Sequence, residues 1–246
     1  MKIIATDYDG TLNHNGIDDK KSSAIKEWRR AGNLFGVVSG RGIKSLLEVI
    51  EDKDFEYDFL IANNGAIMFD RELNVLAETR CDGAYAVPLI TDLFNWGCTF
   101  ANIDKEVAIP IQSDEAACEK GECLLENLPP ITYFNQISTW LGSTEEAAIV
   151  VNKINDKYKD VLNPLQNGTC IDIVPASVNK AQGIYALLDV VGGKYDDVIA
   201  VGDNINDTHM IAEFRSYAMA NGVESIKELA DEITESITEL IYKELQ

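Results

Sequence analysis

Positive charge is what this sequence lacks most. Its 246 residues carry 21 Lys and Arg against 41 Asp and Glu, a formal charge of −20. A nucleic-acid binder needs a basic face to displace counterions, so the balance argues against that class. The same field repels anions at long range, and a phosphate-bearing ligand has to be captured by local cations. Histidine is nearly absent. His14 and His209 stand alone in the chain, and each reads as a surface or packing residue, not as a metal ligand or base. Cysteine is sparse and scattered: Cys81, Cys98, Cys118, Cys123 and Cys170 are odd in number and form no Cys-x-x-Cys pair, which argues against zinc or dithiol chemistry. They read as free thiols in a reducing compartment. No apolar run approaches the ~18 residues of a membrane span. Met1-Lys2-Ile3-Ile4 leads straight towards Asp7, leaving no room for a secretory signal. The expectation is a soluble cytoplasmic protein with neither nucleic acid nor membrane as partner, and with no internal repeat or low-complexity segment.

What the chain does have is 46% hydrophobic residues, enough for a sizeable core at this length. Its organising stretch is the first. Ile3, Ile4 and Ala5 form a short apolar run of the kind a buried parallel strand shows, and it ends in Asp7-Tyr8-Asp9-Gly10-Thr11. Residues i and i+2 of an extended chain share a side, so Asp7 and Asp9 project together, with Gly10 allowing a tight turn behind them. Two carboxylates this close repel unless a proton or cation separates them. Oxygen-only ligands point to a hard cation such as Mg2+.

A rhythm of strand and helix follows. A helix is predicted from about Asp18 to Ala31, with Ile25 and Trp28 inward and Gly32 as its stop. Leu34 to Val38 reads as a strand ending in Ser39-Gly40-Arg41. A helix then presents Ile43, Leu46, Leu47 and Ile50, and Phe59 to Ala62 is a third strand ending in Asn63-Asn64-Gly65. Alternation of this kind implies a parallel sheet with right-handed crossovers, whose ligands sit at the carboxyl ends of strands.

From about residue 80 the texture changes. Strands are expected at Cys98 to Asn102, Val107 to Ile111, Ile131 to Leu141 and Cys170 to Val174. Ser143-Thr144-Glu145-Glu146 looks like a capping box, opening a helix with Ala148, Val151, Ile154 and Tyr158 on one face. This is an α+β block inserted into the first domain, with hinges expected near 80 and 177. Trp96, Trp140, Tyr133 and Phe134 within it are read chiefly as core packing.

The first texture then resumes. Asn179 caps a helix, with Gln182 three residues on, so Lys180 sits in a first turn where dipole and ammonium both favour an anion. Val198 to Val201 is another buried strand, running into Gly202-Asp203-Asn204-Ile205-Asn206-Asp207. Tyr217 to Ala220 is a further strand, and amphipathic segments near 223–230 and 236–245 close the chain. The acidic stretch from Asp231 to Glu244 reads as a solvated helix face. Acids, a hydroxyl and an ammonium at one sheet edge make a phosphate site.

At this point a resemblance is plain. Asp7-Tyr8-Asp9-Gly10-Thr11, Ser39, Lys180 and Gly202-Asp203-Asn204-Ile205-Asn206-Asp207 are similar, in order and spacing, to the four motifs of the haloacid dehalogenase-like (HAD) superfamily. The insert looks like a class II cap, and with Ala62-Asn63-Asn64-Gly65-Ala66 it resembles the Cof-like sugar phosphatases of subclass IIB. The resemblance implies a doubly wound, mainly parallel α/β core of Rossmann-like type over about 1–80 and 178–246, with an α+β cap over about 81–177. It implies Asp7 as nucleophile and Asp9 as acid and base. Mg2+ would bind Asp7, the backbone carbonyl of Asp9 and Asp203, with Asp207 in support. Ser39, Gly40 and Lys180 would hold the phosphoryl group, and Asn206 would contact substrate. The implied function is Mg2+-dependent hydrolysis of a small phosphorylated metabolite, most readily a sugar phosphate. The rival readings are a phosphotransferase or mutase on sugar phosphates, and a non-catalytic binder of a phosphorylated metabolite. Arg41 has two readings at this stage, a phosphate contact or a carboxylate or solvent contact.

Overall fold

The computed structural model describes residues 1–51, 53–105, 108–119 and 121–246. In chain order the strands are β1 Ile3–Thr6, β2 Leu34–Val38, β3 Phe59–Ala62, β4 Ile67–Asp70, β5 Val75–Glu78, β6 Cys81–Asp82, β7 Phe100–Asp104 and β8 Ile109–Gln112. They continue with β9 Cys123–Leu124, β10 Tyr133–Phe134, β11 Gln136–Trp140, β12 Leu162–Asn167, β13 Cys170–Pro175, β14 Val198–Gly202, β15 Arg215–Met219 and β16 Glu232–Thr234. The α-helices are α1 Asp19–Arg30, α2 Ile43–Ile50, α3 Ala86–Asn95, α4 Thr144–Tyr158, α5 Lys180–Val191, α6 Thr208–Glu213, α7 Glu224–Leu229 and α8 Ile237–Glu244. Two compact units result, one of residues 1–77 with 179–246, the other of 78–178. None of the described helices is long and apolar enough to cross a membrane.

The first unit is built on one sheet in the order β16-β15-β14-β1-β2-β3-β4-β5. The pairs β1 with β2 and β14, β2 with β3, β14 with β15 and β15 with β16 are parallel, while β3 with β4 is antiparallel. Both faces are covered. Ile4, Phe35, Val37, Leu60, Val201 and Tyr217 pack against Ile25 and Trp28 of α1, Leu46 of α2 and Leu240 of α8. Ile3, Ala5, Val38, Ile61, Ala200 and Ala218 pack against Ile184 and Leu187 of α5, Met210 of α6 and Ile226 of α7. Neighbouring residues of a strand thus face different helical layers, which is why these strands are apolar throughout and not alternating. The helices begin where side chains satisfy orphan amides: Asp18 accepts from Lys21 N at 2.8 Å and Asn179 from Gln182 N at 3.0 Å. The chain leaves β1 towards β2 and β3 on one side, and leaves β14 towards β15 and β16 on the other. The join of β1 and β14 is therefore a topological switch point, where ligands of such sheets bind.

The second unit carries a six-stranded sheet, β12-β13-β11-β7-β8-β9, and a two-stranded β10-β6. Ile103, Ile137, Ile171 and Ile173 turn one face of the larger sheet to Leu89, Ile90 and Leu93 of α3 and to Val150 and Ile154 of α4. Several sequence expectations shift here. The stretch read as one strand from Ile131 to Leu141 divides at Asn135, β10 pairing with β6 and β11 joining the larger sheet. The strand expected at Cys98 begins two residues later, because Cys98 N still donates to Leu93 O at the end of α3. The strand expected at Val107 to Ile111 is found at Ile109–Gln112; Val107 itself lies outside the described residues. On α4 the expected Ile154 and Tyr158 are buried, but in its first half Ala147 and Val150 take the inward positions and Ala148 and Val151 are only half-buried. Of the four aromatic residues, Phe134 is fully buried, whereas Trp140 is 46% exposed and stands against Phe100, ring centroids 5.4 Å apart.

Candidate active site

The site is assembled where β1 and β14 lie side by side. Asp7 follows β1 directly, and its amide donates to Val201 O at 2.8 Å, which fixes it in register with the end of β14. The chain then turns sharply through Gly10, at φ +82°. A side chain there would run into the carboxylate of Asp203, so the position needs glycine for both its conformation and its closeness. Asp203 follows β14 and accepts from Thr11 Oγ1 at 2.7 Å. Asp207 closes the turn Ile205–Asp207: one of its carboxylate oxygens accepts from the amides of Asp203 at 2.9 Å and Asn204 at 3.1 Å.

Lys180, at the start of α5, is completely buried between two of these acids. Its Nζ lies 2.6 Å from Asp7 Oδ1 and 2.5 Å from Asp207 Oδ1. Burial works to lower its pKa, but the charges of Asp207 and Asp7 outweigh burial and the net shift is upward, so Lys180 is a fixed cation. One ammonium does not balance three acids. Burial pushes the Asp7 carboxyl up to about 8, with Asp207 and Asp203 adding to the rise and Lys180 opposing it. Burial likewise raises Asp203, offset by the Thr11 hydroxyl. One carboxylate oxygen from each of Asp7, Asp203 and Asp207 lies within 4.8 Å of the other two. An all-oxygen set, short of positive charge and this closely drawn, fits a hard divalent cation.

Ser39 and Asp9 sit at the same sheet edge. Ser39 follows β2, is buried, and its amide donates to Ile61 O at 2.8 Å. Its hydroxyl accepts from Arg41 N at 3.1 Å across Gly40. Asp9 does not join the acidic trio. Its carboxylate is turned to Arg41, with Nε to Oδ2 at 2.6 Å and Nη2 to Oδ1 at 2.9 Å. Of the two readings of Arg41, the structure displays the carboxylate contact. Asn206 is half-buried in the turn between Ile205 and Asp207. His14 and His209 are not among the acids of the site.

The chain matches the sequence profile of the haloacid dehalogenase-like hydrolases over residues 4–240. It belongs to that family. Among relatives of this hydrolase, two Bacillus subtilis (strain 168) proteins are 5-amino-6-(5-phospho-D-ribitylamino)uracil phosphatases. YcsE is 27% identical over 250 residues, covering 96% of this chain and 90% of its own, and YwtE is 25% identical over 271 residues, covering 96% and 93%. Among solved structures, a haloacid dehalogenase-like hydrolase from B. subtilis superposes with a TM-score of 0.83 at 17% identity, covering 98% of this chain and 99% of the other. The HAD subclass IIB sugar phosphatase BT4131 does so with a TM-score of 0.81 at 19% identity, covering 99% and 98%. At such identities the structures establish a shared fold.

The haloacid dehalogenase-like site also contains residues that sequence reading passes over. Thr11 reads only as a motif letter, yet its hydroxyl steadies Asp203. Asn63 and Asn64 enter the sequence reading only as part of a resemblance motif, yet both adopt left-handed backbone, at φ +50° and +54°. Asn64 N donates to Ser39 O and Asn63 N to Arg41 O, each at 2.9 Å, so this turn holds the 39–41 loop. Gly65 packs so closely on the backbone of Asn179 that a side chain there would displace the start of α5, and with it Lys180. Two successive asparagines before glycine were the available signal, since asparagine tolerates left-handed backbone better than most residues.

Proposed function

We propose that the protein is a Mg2+-dependent phosphatase acting on a small phosphorylated metabolite through an aspartyl-phosphate, a Cof-like sugar phosphatase of HAD subclass IIB with residues 78–178 as its cap. The observation that carries this reading is the bridge of Lys180 between Asp7 and Asp207, beside Asp203, at the switch point of the sheet. The names of the B. subtilis relatives, which act on a phosphorylated ribityl compound, and of the sugar phosphatase BT4131 support the substrate class.

In this mechanism an oxygen of Asp7 attacks phosphorus while the bond from phosphorus to the leaving oxygen breaks, and Asp9 gives that oxygen its proton. Asp9 then takes a proton from water, whose oxygen attacks the same phosphorus and releases Asp7 and inorganic phosphate. Lys180 keeps the attacking carboxylate oriented. Ser39 and the Gly40 amide receive phosphoryl oxygens, Asn206 contacts substrate, and Thr11 and Asp207 orient Asp203 and the turn behind it. Asp7, Asp203 and the Asp9 carbonyl, with Asp207 in support, would hold Mg2+, which would supply charge neutralisation for a phosphoryl dianion. No single group suffices: monoester hydrolysis can need acceleration approaching ~10²¹-fold, and one general acid gives about 10²–10⁴-fold.

Release of phosphate from p-nitrophenyl phosphate tests the reading. Activity is expected with Mg2+, lost on chelation and lost in Asp7→Asn. Turnover that survives Asp7→Asn would remove the covalent route, and a wild-type chain inactive across a panel of sugar phosphates would remove the assignment.

A further inference from the structure

The ion pair of Arg41 with Asp9 is left unused by that scheme, although it engages the proposed acid through both of its carboxylate oxygens. The backbone of Arg41 is fixed on both sides: its amide donates to Ser39 Oγ and its carbonyl accepts from Asn63 N. Its guanidinium is tethered at one edge, where Nη1 donates to Ser45 Oγ at 3.0 Å on α2. The other edge grips both oxygens of Asp9. The pair lies at the surface, with side-chain exposures of 35% for Arg41 and 48% for Asp9. Lys180, by contrast, is completely buried and shared by two carboxylates. Of these two cations, Arg41 is therefore the one that an arriving anion meets.

A planar guanidinium binds a phosphoryl group in the same two-pronged manner as it binds a carboxylate. An exposed pair is weakly held, so a better anion displaces the resident one. The tether to Ser45 and the fixed backbone keep the fork in place while its partner changes. We infer that Arg41 is a substrate-operated latch: it holds Asp9 in the empty site and exchanges Asp9 for an oxygen pair of an incoming phosphate monoester, so that Asp9 is free to carry protons only when a phosphoryl group is bound. The inference rests on the phosphatase reading and adds a positioning role for Arg41 together with a phosphate contact. It also accounts for how a chain of charge −20 receives an anion, since the receiving cation is kept at the surface by a carboxylate that gives way.

The test is a double-mutant cycle on the affinity of the full-length, Mg2+-loaded protein for inorganic phosphate, read by titration calorimetry. Arg41→Gln is expected to weaken phosphate about tenfold or more, and to raise KM for p-nitrophenyl phosphate more than it lowers kcat. Arg41→Lys, which keeps the charge without the fork, should fall between. Asp9→Asn removes the resident anion and should tighten phosphate several-fold in the wild-type background, and this gain should vanish when Arg41 is Gln. If Asp9→Asn tightens phosphate equally in both backgrounds, the gain is simple charge removal and the latch is refuted. If Arg41→Gln, folded by its thermal unfolding curve, binds phosphate as the wild type does, the latch is refuted as well. A wild-type protein that neither binds phosphate nor hydrolyses any monoester would overturn the phosphatase reading and take the latch with it. Hydrolysis with an additive cycle overturns the latch alone.

Discussion

Lys180 Nζ lies 2.6 Å from Asp7 Oδ1, in a position where neither residue is open to bulk water. The ammonium comes from the start of α5 and the carboxylate from the end of β1, so the contact ties together segments 173 residues apart. With Asp207 on its other side, Lys180 is a buried cation shared by two of the three acids.

Removing that charge should be costly in two separate ways. Lys180→Met leaves Asp7 and Asp207 buried without their counterion, and breaking a buried pair from one side costs about 3–5 kcal/mol. Phosphate release should fall to background in the same variant. A urea titration reads the first effect and p-nitrophenyl phosphate turnover the second. An unchanged unfolding midpoint would mean that the ammonium contributes nothing to the folded state.

Thr11 offers a finer probe. Its hydroxyl donates to Asp203 Oδ1 at 2.7 Å, so Thr11→Val keeps the shape of the side chain and removes the bond. Groups behind a metal-binding carboxylate typically contribute about 10–100-fold in metal affinity. The expected result is a rise of that order in the Mg2+ concentration for half-maximal activity, with kcat at saturating Mg2+ little altered. An Mg2+ requirement equal to that of the wild type would show that Asp203 is oriented without Thr11.

Much of this site's placement is legible in the sequence. Asp7, Ser39 and Asp203 each closely follow an apolar run of the kind a buried parallel strand shows, and ligands of such sheets sit at strand carboxyl ends. Lys180 was placed by the capping pair Asn179 and Gln182. What stayed illegible were relationships decided by rotamers and close approach, such as which carboxylate Arg41 meets and the bond from Thr11 to Asp203. Prolines also lie inside elements. Pro88 occupies the first turn of α3, where a missing amide costs nothing. Pro164 sits in β12, which is tolerated because β12 is an edge strand of its sheet.

The inserted unit should show its own pH signature. Asp104 lies on the face of β7 turned away from Ile103 and the helices. Burial, reinforced by the charge of Asp172, pushes its carboxyl from the ordinary 3.8 up to about 7. The folded chain then holds a proton that the unfolded chain has already released. Stability contributed at this position is complete below pH 3.8 and drains away as pH rises towards 7. Asp104→Asn cannot ionise, so it should match the wild type in thermal unfolding at pH 4 and exceed it at pH 8. A difference that is the same at both pH values would contradict the assignment.

Lys21 is buried, an uncommon place for a lysine. Its ammonium is buried and donates to three backbone carbonyls, those of Leu12 at 2.6 Å, His14 at 3.2 Å and Gly16 at 2.7 Å. Burial lowers its pKa, and Asp18 opposes that shift from one side. The three carbonyls belong to the loop that follows Asp9, so the side chain acts as an internal clamp on the segment just beyond the proposed acid. Lys21→Met fills similar volume but orphans the carbonyls, and a loss on the order of 2–4 kcal/mol is expected. Because the clamp is local, protease cleavage within residues 12–16 should appear at denaturant concentrations where the rest of the chain is still folded. If the variant is instead cut only when the whole chain unfolds, Lys21 stabilises the fold generally and the loop needs no clamp to stay in place.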